Sequence, residues 1–495
     1  MAKPIVRNYL LLPTTGLRLP SRKPDSTLKT LFSQLNKNVR LADVLEGPES
    51  VGAVVLDSAG ETGPKLVQIA DADLPQVRAQ LPGVRIVPEV FYYPQRRREE
   101  IRDLFRPMQG QPKVGVRIRV AEAKTGQPIA GVTVVAFTNF AQRQGEQGTS
   151  NAQGVVAFKN IGRQKIEQLF GYPQRGYWSL WRKTLTLTND QVFELQPVKP
   201  DYPDARQFFY PSAQTGLSVG QGVNVGIIDT GSGPHPDLVI AGGACTVTGE
   251  SPTDYDDVDE HGSHVAGIVG ARGAAPTGLR GAAPGVALRA YRVFGKNARG
   301  ASNFAIVKAI EQAVADGCDL INMSLGGGPA DDATKEAITF ARNQGTLCFV
   351  ATGNDDRSPV SFPAAFSLSL AVGAMGRKGT VPPNTTDAPY AVAPFGTDTK
   401  NFVAGFSNIG PEVDFIAPGV GILSTVPGGY APLSGTSMAC PMATGVAARL
   451  LSTQPDLLAI PRTAARADAM IAFLQTRVSS LGFGPTFEGT GQFSL

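Results

Sequence analysis

Only three histidines occur in this 495-residue chain, and two of them stand three apart, His261 and His264 in "DVDEHGSHVAGIVGA" at 257–271. On one helical face they offer either two metal ligands or one general base with a packed neighbour. A metal would need further ligands. The third histidine, His235, lies in "SGPHPDL" and no cysteine cluster accompanies it, although Asp256, Asp257, Asp259 and Glu260 keep oxygen ligation open. A base needs an orienting acid, and Asp229 closes the apolar run "VNVGIID", where a carboxylate at a buried strand end demands a partner. Ser437, in "SGTSMACPMATGVAARLL", opens an Ala- and Gly-rich helix whose free N–H groups and dipole suit an oxyanion. Asn354, in "LCFVATGNDD", follows a strand and offers a side-chain amide donor. Taken singly, these are a turn-capping Asp, an N-cap Ser and an Asn in a turn. Taken together they are a nucleophile, a base, an orienting acid and an oxyanion donor, the parts of an acyl-transfer site.

The elements that must position them fall in residues 205–495. There "VNVGIID", "ALRAYRVFG", "CDLINMSLGG" and "TLCFVATGN" alternate with the helical "HVAGIVGA", "NFAIVKAIEQAVADG" and "DATKEAITFARNQG". Strands alternating with helices of this length predict an α/β domain with a three-layer, mostly parallel sheet, whose functional residues collect at the carboxyl ends of the strands.

Two smaller regions precede it. Residues 1–110 read as an α+β unit, with strands in "VGAVVL" (51–56) and "VRIVPEV" (84–90) and a helix over "LVQIADADLPQVRAQL" (66–81). The unit ends in "YYPQRRREEIRDLFRP", where Arg96, Arg97 and Arg98 read as a solvated face partnered by Glu99 and Glu100, with a protease-sensitive junction as the alternative. Residues 111–200 read as an all-β sandwich, because "VGVRIRV" alternates Val114, Val116, Ile118 and Val120 with Gly115, Arg117 and Arg119. "TGQPIAGVTV" and "NAQGVVAF" in this stretch resemble the small carboxypeptidase-regulatory-like modules. The tryptophans Trp178 and Trp181 read as packing residues.

Hydrophobic content of 42% with 18% charged residues describes a folded globular chain, and a net charge of +4 over this length gives no reason to invoke nucleic acid or an anionic membrane. Four scattered cysteines, Cys245, Cys318, Cys348 and Cys440, form neither a disulfide framework nor a zinc spacing. No membrane-length apolar run is present, and Tyr9–Leu12 is too short for a secretory core. The expectation is a cytoplasmic protein, or one exported by a route without a visible signal peptide.

"GIIDTG", "HGSHVAG", "INMSLGG", "VATGN" and "SGTSMACP", in that order, resemble the subtilisin-like serine proteases, the subtilases. The resemblance implies that Asp229 orients the imidazole, His261 is the base, Ser437 attacks the scissile carbonyl, and Asn354 with the Ser437 N–H holds the oxyanion. It implies an extended polypeptide substrate paired between Ser324–Gly327 ("SLGG") and Arg299–Ser302 ("RGAS", with Gly300). The first specificity pocket is expected to be walled by Ser324, Leu325, Gly326, Ala351, Thr352 and Gly353, with Ser361 at its floor and Asp355 favouring a basic or polar residue. No cofactor is expected. Structural calcium is possible, but "ARGAAPTGLRG" lacks the family's usual Asn, so stability independent of calcium is expected, although Asp237 and other surface carboxylates could still bind an ion.

The family also implies that residues 1–110 are a prodomain-like unit, with "VRIVPEVFYYP" as the last strand and a tail in the cleft. Self-cleavage is expected near 92–110, keeping the β module attached, or near 200. The leading function is an autoprocessed serine endopeptidase. A peptide maturase or transpeptidase on the same fold, and a latent protease domain serving a binding role, are the alternatives.

Overall fold

The apolar run ending at Asp229 forms the strand Asn224–Asp229 inside a nine-stranded sheet. The computed structural model describes residues 5–14, 16–19, 26–44, 52–106, 114–211 and 215–495. The main sheet runs Ile240–Cys245, Ala287–Arg292, Asn224–Asp229, Leu320–Met323, Leu347–Ala351, Leu370–Arg377, Asn401–Ala404 and Ala391–Phe395, with Val413–Pro418 also paired to Leu370–Arg377. Every pairing is parallel except those made by Asn401–Ala404.

Its strands are apolar on both faces, as a sheet covered on both sides requires. Val225, Ile227, Leu320, Leu347 and Phe349 enter one core with the helices His261–Gly270 and Thr436–Leu451. Ile228, Ile321, Met323, Cys348 and Val350 enter the other with Asn303–Ala315 and Asp332–Asn343. Three layers result, and the carboxyl ends of the strands share one edge.

The N-terminal unit is an antiparallel sheet in the order Ala53–Ser58, Lys65–Ala70, Val6–Pro13, Val84–Pro88. Tyr9 and Leu11 face its own core, whereas Leu10 and Leu12 join the core that holds Asn303–Ala315 and Asp332–Asn343. Lys308 pairs with Asp57 (2.8 Å) and Arg85 with Glu336 (2.7 Å) across this contact. The helix expected over 66–81 is corrected: its first part is the strand Lys65–Ala70, and only Leu74–Gln80 is helical. Val67 and Ile69 alternate as in a strand while Leu66, Ile69 and Ala70 have helical spacing, and pairing with Val6–Pro13 decides between them.

The sandwich places Val155–Phe158, Val116–Glu122 and Gln191–Leu195 against a second sheet of Leu180–Thr186, Lys165–Tyr172, Thr133–Asn139, Gln144–Thr149 and Asp103–Leu104. Val116, Ile118 and Val120 are buried between the sheets, while Arg117 and Arg119 are exposed. The edge strand Asp103–Leu104 precedes residue 111, and the boundary drawn at 110–111 lies outside the described residues. Trp178 is buried beside Leu279 and Leu423, joining the sandwich to the main domain.

Candidate active site

Asp229 ends its strand opposite Arg292, and its Oδ1 lies 2.7 Å from His261 Nδ1. The same oxygen accepts the Thr230 N–H at 2.7 Å. His261 is the first residue of its helix, and its entry depends on glycine: a Cβ on Gly262 would lie 1.9 Å from the Gly231 carbonyl oxygen. Thr230 Oγ1 accepts from the Gly262 N–H and donates to Asp257 Oδ1, both at 2.8 Å, which ties "DTG" to "HGSH". His261 Nε2 is buried and has no partner among the described residues. An imidazole with Nδ1–H held by a carboxylate and Nε2 open is arranged to take a proton.

His264 points elsewhere. Its Nε2 lies 3.0 Å from both Ile422 O and Ala431 O, and full burial pushes its pKa down to about 3. It is a neutral packing residue. Among the described residues no three His, Cys, Asp or Glu side chains gather as a metal site.

Ser437 is the second residue of the helix Thr436–Leu451, with its side chain donating to Ser324 O at 2.9 Å. Asn354 Oδ1 accepts from Thr436 N (2.9 Å) and Thr436 Oγ1 (3.0 Å), which leaves the buried Nδ2 without a partner among the described residues. An oriented amide with an unspent donor beside a helix N-terminus suits a developing oxyanion.

The chain itself occupies this site. Strand Phe91–Pro94 lies between Ala301–Ser302 and Leu325–Gly326, antiparallel to both. Beyond it, Gln95 N donates to Ser324 O (3.1 Å), Ser437 N donates to Gln95 O (3.1 Å), and Arg97 N donates to Ser434 O (2.8 Å). A Cβ on Gly435 would lie 2.3 Å from Gln95 O, 3.0 Å from Arg96 Cα and 3.3 Å from Asn354 Nδ2. The Gln95–Arg96 peptide therefore crosses directly above the helix N-terminus, its carbonyl accepting from the Ser437 N–H.

The expected pocket residues are distributed around this segment. Gln95 is buried, and Cβ atoms on Gly326 and Gly327 would meet its Cγ and Nε2 at 3.5 Å. Ser361 Oγ would lie 2.9 Å from the Gly326 Cβ and 2.8 Å from that of Gly353, and it donates to Thr352 O at 3.1 Å. Leu325 pairs with Pro94, Ser324 binds Gln95, and Gly300 sits against Phe91 and Tyr93 on the opposite edge. Ala351 is fully buried in the sheet core. Asp355 is engaged by Asn408, through its own N–H (2.8 Å) and the Asn408 Nδ2 (3.0 Å).

The solvated-face reading of the arginines is corrected. Arg96 forks onto Asp259 at 2.7 and 3.1 Å, Arg98 reaches Glu260 at 3.3 Å, and Arg97 donates to Asn354 O at 2.9 Å and to Asp356 at 3.1 Å. Of the expected partners only Glu99 takes part: buried, it accepts from Arg97 and Arg143, while its N–H donates to Tyr172 Oη at 2.9 Å. These partners lie far away in sequence, so local charge pattern carried no signal for them.

A parallel α/β sheet whose carboxyl edge gathers a buried carboxylate, an imidazole and a helix-borne hydroxyl has the layout of a serine hydrolase. The family model described as the subtilase family matches residues 220–478. Subtilisin BL of Lederbergia lenta is 39% identical over 248 residues, covering 50% of this chain and 82% of the relative. Subtilisin DY of Bacillus licheniformis is 40% identical over 247 residues (48% and 80%), and Subtilisin NAT of Bacillus subtilis subsp. natto is 37% identical over 354 residues (66% and 86%). The chain belongs to the subtilase family and is a serine endopeptidase acting on polypeptides. Among the described residues no helix is long and apolar enough to cross a membrane.

Proposed function

We propose that the protein is made as a zymogen whose first substrate is its own Gln95–Arg96 bond. Asp229 holds His261, His261 takes the Ser437 proton, and Ser437 attacks the Gln95 carbonyl. The oxyanion falls to the Ser437 N–H and Asn354, and His261 then protonates the Arg96 amine as it leaves. The observation that carries this reading is the 3.1 Å hydrogen bond from Ser437 N to Gln95 O, made while the preceding residues pair with strands on both sides. Ser437 Oγ first turns from Ser324 O toward His261 Nε2.

Residues up to Gln95 serve as an inhibitory tail, and the β module stays joined to the mature enzyme through residues 196–204. No cofactor takes part in these steps. A fluorophosphonate probe tests the triad: it labels Ser437 in the processed enzyme and not in His261→Ala. Equal labelling of both proteins, or labelling at another serine, contradicts the assignment.

A further inference from the structure

Three aromatic residues precede the Gln95–Arg96 bond, and the enzyme treats them differently. Phe91 and Tyr93 are 43% and 46% exposed, whereas Tyr92, the fourth residue back from the bond, is 0% exposed. Its ring lies against Gly328, where a Cβ would meet Cδ1 at 2.8 Å, and belongs to the core formed with Ala301, Phe304 and Ala333. The Tyr92 hydroxyl lies 2.5 Å from Asp331 Oδ2 and 2.9 Å from the Pro329 carbonyl oxygen.

Asp331 is held for this contact. Its other oxygen accepts from the Thr334 N–H at 2.9 Å, as N-cap of Asp332–Asn343, and from Asn303 Nδ2 at 3.1 Å. Two donors thus fix Oδ1 and leave Oδ2 at the end of the pocket. An aromatic ring without a hydroxyl would fill the same space, strip water from Oδ2 and from Pro329 O, and return no hydrogen bond. A site built to bond a hydroxyl rejects the analogue lacking it, because its own polar atoms are left unpaired.

We propose that Asp331 is a specificity-determining residue that selects tyrosine, over phenylalanine and aliphatic residues, four positions before the bond the enzyme cuts. The inference rests on the reading that Gln95–Arg96 is held as the scissile bond.

The test uses two internally quenched peptides, Phe-Tyr-Tyr-Pro-Gln-Arg-Arg and the same sequence with phenylalanine at the place of Tyr92, with enzyme purified after self-cleavage. Wild type cuts the Gln–Arg bond of the tyrosine peptide with kcat/KM about 10- to 100-fold above that of the phenylalanine peptide. Asp331→Ser keeps an N-capping oxygen but is too short to reach the hydroxyl. The ratio then falls toward one, while the phenylalanine peptide is cut at least as fast as by wild type. Should the serine variant not fold, Asp331→Asn keeps size and cap, and lowers the ratio by replacing a charged acceptor with a neutral amide. Equal kcat/KM for both peptides in wild type, or an unchanged ratio in either variant, overturns the proposal. Cleavage of both peptides at another bond overturns the underlying register and the assignment with it.

Discussion

Replacing Gly435 by alanine separates substrate docking from the catalytic side chains. The added Cβ would stand 2.3 Å from Gln95 O and 3.0 Å from Arg96 Cα, both atoms of the bond to be cut. Carbon and oxygen pack comfortably at about 3.3 Å or more, so the carbonyl must retreat by about 1 Å. A displacement of that size from a near-attack geometry costs about 10²-fold in rate. The nearest enzyme atom, Asn354 Nδ2, would be 3.3 Å away, and the glycine φ of +156° adds a backbone penalty of about 1–3 kcal/mol. Gly435→Ala should therefore fold with a melting temperature lowered by several degrees, yet self-cleave and hydrolyse peptides at least about 10²-fold more slowly. The assay pairs a refolding time course, followed by intact mass, with thermal unfolding in the Ser437→Ala background. Self-cleavage of Gly435→Ala at the wild-type rate would refute the placement of Gln95–Arg96 over the helix N-terminus.

Acid stability carries the signature of His264. Its folded pKa of about 3 lies below the ordinary 6.5, so the unfolded chain binds the extra proton. Its contribution is intact above pH 6.5 and is lost as pH falls toward 3, at about 1.4 kcal/mol per pH unit. Asp414, pushed up to about 6 by burial, works in the opposite sense, so the measure is the difference between Ser437→Ala and Ser437→Ala/His264→Gln in urea unfolding at pH 7 and 4.5. Equal slopes for the two would contradict it. Chelator should leave the melting temperature unchanged, because the Asp237 Oδ2 already accepts from the Leu279 N–H (2.8 Å) and the Tyr430 hydroxyl (2.9 Å); a large drop would show that an ion contributes there. On the proposed cleavage Arg96 would become an N-terminus, and its pairing to Asp259, if kept, would place it on the leaving-group side of the cleft. Changing Arg96 and Arg98 to alanine should lower KM about threefold to tenfold for peptides that extend past the cut, and leave KM unchanged for nitroanilides that end there.

The main domain was legible because its strands are continuous apolar runs separated by helices of regular length. The pairing of Asp229 with His261, and the place of Asn354 beside the helix that carries Ser437, could be anticipated because these residues stand at a strand end, in the loop after a strand or in the first turn of a helix, where packing explains the side chain poorly. The split at 66–81 was not legible, since Leu66, Ile69 and Ala70 have helical spacing where Val67 and Ile69 alternate, and only pairing to Val6–Pro13 chose the strand. Nor did "FYYPQRRREE" reveal which residue stops above Ser437, or that the Tyr92 hydroxyl meets Asp331. Those facts depend on how far the tail slides between Ala301–Ser302 and Leu325–Gly326, a register set by contacts more than 200 residues away in sequence. The arginines misled for the same reason: Arg97 keeps its near neighbour Glu99, but Arg96 and Arg98 pair with Asp259 and Glu260, far away in sequence.

Ser437 is proposed to cut the chain between Gln95 and Arg96. Intact mass and N-terminal sequencing of the full chain after refolding test it most directly. The wild type should yield a mature species beginning at Arg96, with the β module still attached, and Ser437→Ala should remain whole under the same conditions. A wild-type product beginning elsewhere, or the same cleavage in Ser437→Ala, would contradict the account.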